Sequence, residues 1–214
     1  MNLGMTNYQI LDDQPKCLAI GICDQNDPYR LKPYMNFNAS WQSKKSKINF
    51  NIDSEVVFFD RLQSESGKRM RNRTTLSKLF NFSGIEVTPA VALDYAKFKP
   101  DANEKDTDRT IPIYSLDIKA NLIKISNDGD VRQSIQPRVM AVYIPFEDQS
   151  EFPFIDTLMP DFNYFQLFNE NRFIGNDRIG DTSKISYGIT AKRTRIQSGK
   201  DFFEFTLGQT LHLK

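Results

Sequence analysis

The chain has 214 residues, 39% hydrophobic and 26% charged, and its 28 basic and 27 acidic side chains nearly cancel. Without a basic excess or a Lys/Arg run there is no electrostatic footprint for nucleic acid, which is therefore not an expected partner. The longest apolar run, Val139–Phe146, is far short of the ~18 residues that a membrane-spanning helix needs, so only a barrel of strands could carry this chain across a bilayer.

The opening residues Met1–Asn7 lack the basic and apolar regions of a secretory signal, a first reason to expect an incomplete chain. Cys17 and Cys23 fall in what reads as one strand, roughly 20 Å apart at ~3.3 Å per residue, too far for a mutual disulfide. Two unpaired, half-buried thiols are expected, with a bridge to a missing segment as the alternative. From Met35 the pattern has period two, which places every second side chain on one face of a strand. Met35, Phe37, Ala39 and Trp41 alternate with Asn36, Asn38 and Ser40, and Ile48, Phe50, Ile52, Val56 and Phe58 alternate with Asn49, Asn51 and Asp53. Val87, Val91, Leu93 and Tyr95 then oppose Glu86, Thr88 and Asp94, and Leu116, Ile118, Ala120 and Leu122 oppose Asp117, Lys119 and Asn121. Strands follow over Val131–Ile144, Ile185–Arg195 and from Phe203 to the end; Val142 and Phe202 break the alternation.

Short turns are expected at Asp12–Gln14, Ser43–Lys45, Ser83–Gly84, Ser126–Asp130 and Gln197–Lys200. Longer connections fall at Asp24–Lys32, Arg61–Lys68, Lys99–Arg109 and Pro145–Asp181. Short and long alternate along about ten antiparallel strands, the asymmetry of outer-membrane barrels with tight periplasmic turns and long extracellular loops. The strands Lys47–Phe59 and Ile85–Phe98 exceed the ~5–6 residues usual in a soluble sandwich. The expected fold is an all-β, antiparallel transmembrane β-barrel segment of a larger barrel, residues 1–214 forming one partial domain with a long extracellular loop over 145–183 that carries a short helical turn near Asn163–Asn169.

Within and around that loop the sequence runs YIPFEDQS, FIDTLMPDFNYFQLFNENRFIGNDRIGD and ISYGIT. This series resembles the barrel domain of the lipopolysaccharide-assembly outer-membrane protein family, the organic-solvent-tolerance family, through Tyr143, Pro145, Phe146, Asp148, Gln149, Ser150, Asp156, Thr157, Asp161, Asn163, Leu167, Phe168, Asn171, Arg172, Phe173, Gly175, Asp177, Arg178 and Ile179. It continues through Ser186–Thr190 and Leu207-Gly208-Gln209. The resemblance implies a very large barrel in the bacterial cell outer membrane that receives lipopolysaccharide from periplasmic bridge proteins and releases it into the outer leaflet around a plug lipoprotein. It implies no covalent chemistry and no cofactor. Relative to that family, the N-terminal jellyroll and the terminal barrel strands are expected to be missing.

Asp156, Asp161, Asn163, Asn171, Arg172, Asp177, Arg178 and Asp181 are the loop's candidates, either for contact with the sugars and phosphates of lipopolysaccharide or for packing the loop on itself. Phe162, Tyr164, Phe168 and Phe173 would anchor it. Asn36, Asn49, Asp53, Asp94, Asp117, Lys119 and Arg138 are expected to line a wet lumen, with His212 beside them, while Tyr34, Trp41, Tyr95 and Tyr143 suit a headgroup belt. Asn127–Asp130 lacks the ligand spacing of a calcium loop and reads as a turn, so no metal site is expected. Asp156-Thr157 lacks the glycine and second copy of an aspartic protease, and one histidine without a nucleophile elbow offers no triad, so an outer-membrane phospholipase or protease ranks last. The sequence also admits a soluble β-sandwich that binds carbohydrate, or a non-functional remnant of the barrel protein.

Overall fold

The structure, a computed structural model, describes residues 2–6, 30–60, 66–101 and 105–213; Cys17, Cys23 and the turn expected at Asp12–Gln14 lie outside these residues. The strands are β1 (Asn2–Thr6), β2 (Arg30–Gln42), β3 (Ile48–Asp60), β4 (Gly67–Lys78), β5 (Phe80–Phe82), β6 (Ile85–Pro100), β7 (Thr107–Ala120), β8 (Leu122–Ile125), β9 (Val131–Ile144), β10 (Thr182–Arg195) and β11 (Asp201–His212). All belong to one antiparallel sheet, in the order β1-β2-β3-β4-β6-β7-β9-β10-β11, which among the described residues runs from edge to edge without closing. β5 and β8 continue β4 and β7 past breaks at Leu79 and Asn121, with no change of register against β6 and β9. Each break lies beside the position that faces a proline, Pro89 or Pro137, which has no N–H to give the ladder.

The connections alternate as the sequence leads one to expect. Tight turns at 43–47, 83–84, 126–130 and 196–200 close one end of the sheet, and the strand ends Asp60, Gly67, Pro100 and Thr107 lie at the other, with the loop 145–181. Ser83 and Gly84 have φ of 51° and 89°, the two positive values that a two-residue hairpin needs to match strand twist. At the next turn Ser126 Oγ accepts from Val131 N at 3.0 Å and Gly129 takes φ 77°, so Asn127–Asp130 is a turn among the described residues. The long loop ends at Asp181 rather than at 183, because Thr182 already pairs with Ile144.

Register decides which side chains share a face. Cross-strand partners point the same way, so one row reads Asn36, Glu55, Arg71, Ala96 and Arg109, and the next Asn38, Asp53, Arg73, Asp94 and Ile111. Asn49 pairs with Gln42, Asp117 with Thr88 and Lys119 with both Glu86 and Arg138, which places every residue expected in a lumen on this polar face. His212 joins it opposite Lys184. The other face carries exposed Trp41, Val91, Leu93, Leu116, Tyr143 and Leu207, an apolar surface that nothing in the described residues covers.

At the loop end the polar face turns apolar, and there the loop folds back over it. One buried cluster joins Ala92, Ile111, Ile113, Met140, Val142 and Ile144 of the strands to Leu167, Phe168 and Ile179 of the loop. A second joins Val57, Phe59, Ala96 and Phe98 to Phe152. Val142 breaks the alternation for this reason: it lies on the polar side but beneath the loop. Tyr34 likewise departs from the expected belt. It pairs with Val57 on the covered face and packs against the second cluster, whereas Trp41, Tyr95 and Tyr143 are exposed on the aromatic face.

Candidate functional site

The loop 145–181 has few backbone ladders of its own, and short polar side chains take their place. Asn163 caps the one helical turn, α1 (Tyr164–Leu167), accepting from Phe165 N at 2.9 Å and Gln166 N at 3.2 Å. Asn171 accepts from Phe173 N and Gly180 N and donates to Arg178 O at 2.8 Å. Gln149 pairs with Ile179 through both its amide groups. Leu158 and Ile174 exchange backbone hydrogen bonds, and Gly175, with φ 91°, is the only residue type that fits there, since a Cβ would lie 2.2 Å from Asp156 O.

Around Asp156 and Asp177 the loop closes on itself and on the sheet together. Asp177 accepts from Ile155 N at 2.7 Å and Asp156 N at 2.6 Å, and its other oxygen pairs with the Arg69 guanidinium. Arg69, only 1% exposed, also reaches Asp156 at 2.5 Å and Glu55 at 2.6 Å and lies over the Phe59 ring. Asn176 donates to Glu55 at 3.1 Å and accepts from Arg109 at 2.7 Å, while Arg109 pairs with Asp94. Arg71 bridges Asp94 and Asp53, and Arg73 pairs with Glu170, which also accepts from Ser115 at 2.8 Å. Successive inward positions of β4 thus hold three arginines in a ladder that meets carboxylates of the sheet on one side and of the loop on the other.

Electrostatics sort the two loop aspartates. Burial pushes Asp177 up to about 6 against the pull of Arg69, and the adjacent Asp156 carboxylate adds to the rise. Burial also opposes charge on Asp156, but its hydrogen bond and attraction to Arg69 outweigh that and hold it below the usual carboxylate range. Asp148, at the loop's start, is lowered by the backbone N–H of Ser150.

The far end of the loop is seated by shape. Gly188 and Gly208 pair across β10 and β11, and a Cβ there would lie 2.9 Å from Tyr164 Cε2 and 2.5 Å from Leu167 Cδ1 respectively. Two missing side chains make the notch that receives α1. Tyr164 Oη accepts from Thr190 at 3.2 Å, Lys184 donates to Asn169 O at 2.7 Å, and Arg138, held by Asp117 at 2.8 Å, stacks over Phe168.

Of the loop candidates, Asp156, Asn163, Asn171, Asp177 and Arg178 thus meet protein partners, Arg178 through Gln149 O and Phe152 O. Arg172 is exposed, stacked on Phe173 and against Gly180. Asp161 and Asp181 are exposed and make no hydrogen bond or ion pair among the described residues. One expected anchor fails: Phe162 is 75% exposed, and Phe152, Leu167 and Ile179 do the anchoring with Phe168. Arg69, Arg71, Arg73, Arg109, Glu55 and Glu170 were not among the sequence candidates. The signal was there in the spacing Arg69-x-Arg71-x-Arg73, which period two sends to the face of Asp53 and Asp94.

A single antiparallel sheet of long strands, aromatic on one side and polar on the other, open at both edges and roofed by one docked loop, is a section of β-barrel wall. The family model for LPS transport system D, LptD, matches residues 1–214, and the chain belongs to that family. It is 30% identical to the LPS-assembly protein LptD of Hahella chejuensis over 96% of this chain and 26% of that protein. It is 32% identical to that of Shewanella denitrificans over 89% of this chain and 26% of the relative, and 29% identical to that of Nitrosococcus oceani over 85% and 26%. The chain spans about a quarter of the length of the curated relatives it matches.

Proposed function

We propose that these residues form part of the wall and external lid of an outer-membrane β-barrel that assembles lipopolysaccharide into the outer leaflet, by transport and not by catalysis. The observation that carries this reading is the separation of faces: apolar and aromatic side chains lie uncovered on one side, and charged and amide side chains on the other. The uncovered side suits lipid, and the polar side suits the sugars and phosphates of the passing lipid in a wet lumen. Strands of 12 to 16 residues, as in β3, β4 and β6, are long enough to cross the bilayer at a tilt. The plug lipoprotein would occupy the lumen, and periplasmic bridge proteins would deliver lipid through the jellyroll of the parent protein. Asp156-Thr157 is used in loop packing, which supports the non-enzymatic reading.

The test places a photo-crosslinking residue in the full parent at the turn end, where outward positions would face the inner leaflet. Asn49 and Lys119 on the polar face should capture lipopolysaccharide in growing cells, and Trp41 and Ile85 on the other face should not. Equal capture from both faces, or from neither, contradicts the proposal.

A further inference from the structure

The arginine ladder on β4 grades from closed to open. Side-chain exposure rises from 1% at Arg69 to 9% at Arg71 and 22% at Arg73. Arg69 is locked by three carboxylates, and Arg71 by Asp94 and Asp53. Arg73 spends one of its two terminal nitrogens on Glu170, and its other guanidinium donors have no partner among the described residues. Beside it, a cleft of about 260 Å3 opens between Arg71, Arg73 and the loop residues Glu170, Asn171 and Asn176. A water-sized group needs ~30 Å3, so the cleft has room for a tetrahedral anion and its hydration.

We propose that this cleft is a seat for a phosphate group of the transported glycolipid, with Arg73 as its principal ligand and Glu170 as the resident anion that the phosphate displaces. The inference rests on the transport reading above and names the place where the cargo's charged part is held. A guanidinium fork matches phosphate with two parallel hydrogen bonds, whereas the Glu170 carboxylate engages Arg73 through a single nitrogen. A phosphate monoester brings about −1.5 to −2 where the carboxylate brings a single charge, so it draws Arg73 more strongly than Glu170 does. Glu170 is itself 22% exposed, and besides Arg73 it meets the Ser115 hydroxyl and the charge of nearby Lys184, so it swings toward Lys184 without touching the Arg69–Asp177 ion pair. Free phosphate shares this chemistry, and the probes separate the two sources.

The experiment uses the full parent protein in lipid nanodiscs with three probes: phosphorylated lipopolysaccharide, the same glycolipid chemically dephosphorylated, and inorganic phosphate. Glu170→Gln, which keeps the shape and removes the competing charge, should tighten the phosphorylated glycolipid about tenfold, and Arg73→Gln should weaken it about tenfold. The dephosphorylated glycolipid should respond to neither substitution. A gain of affinity in Glu170→Gln cannot come from misfolding. If the unaltered parent binds the phosphorylated glycolipid and both variants match it, the seat is overturned while the transport reading stands. If only inorganic phosphate follows the substitutions, the assignment to the glycolipid is overturned. Failure of the unaltered parent to bind either glycolipid would instead remove the transport reading itself.

Discussion

Replacing Arg69 with alanine should free the long loop. Asp177 is 0% exposed and loses the cation it is paired with, leaving Arg109 as a more distant positive charge, and Asp156 and Glu55 lose their shared partner. Removing one member of a buried ion pair costs roughly 3–5 kcal/mol, because the remaining charge stays desolvated. Asp177 already titrates at about 6, so without Arg69 it takes up a proton at neutral pH, which holds the cost to the lower end of that range. About 3 kcal/mol is a rise of roughly 150-fold in the undocked population. Chymotrypsin cleavage at the exposed Phe154, Phe162 and Phe165 in outer-membrane vesicles reads that population when reclosing is fast. The defect should shrink at pH 5, where Asp177 is neutral in both proteins. Adding Asp177→Asn to Arg69→Met should restore part of the protection and remove the gain at pH 5, because Asp177 no longer has to take up a proton while Asp156 and Glu55 stay unpaired. Cleavage of Arg69→Ala at the unaltered rate at both pH values would refute the latch.

Other perturbations separate the loop's remaining supports. Gly208→Val places a branched side chain where a Cβ already meets Leu167, and should cost about 1–3 kcal/mol by lifting α1, seen as faster cleavage at Phe165 with the barrel still heat-resistant. Arg178→Ala, which strips donors from Gln149 O and Phe152 O, should raise cleavage by an order of magnitude or more, whereas the exposed Arg172→Ala should leave it within about twofold. The pH dependence has two limbs of opposite sign. Asp177 is raised in the folded protein from 3.8 to about 6, so the docked state holds a proton that the free loop lacks, and docking strengthens as pH falls through about 6. Asp156 is lowered, so its contribution is present above 3.8 and is lost as pH falls further. Protease resistance should therefore peak between those limbs, and a monotonic profile would contradict the assignment.

The sheet was largely legible because period-two alternation survives wherever one face stays uncovered, as from Met35 to Trp41 or from Tyr114 to Leu122. β4 was less so: outward Asn72 and Thr74 interrupt the apolar series, and its inward arginines look like surface charge until the register places them under the loop. Loop docking was not readable at all from local pattern. Arg69 and Asp156 are 87 positions apart, and nothing near either names the other. Phe152 and Phe162 are equivalent as residue types, and only the position of the latch decides that the first is buried. Tyr34 was misplaced for a related reason, since an aromatic near a strand end suits either a belt or the edge of a covered core. Gly188 and Gly208 stood inside recognisable motifs, but their use as a notch for α1 emerges only when β10 and β11 are paired.

One face of this sheet should meet lipid and the other water, and adjacent cysteines on β7 separate the two surroundings. In the full parent protein in native outer membranes, Leu116→Cys and Ile118→Cys should react only with a membrane-soluble maleimide, and Asp117→Cys and Lys119→Cys with a charged, water-soluble one. Reaction of all four positions with the water-soluble reagent would contradict a membrane wall and favour a soluble sheet.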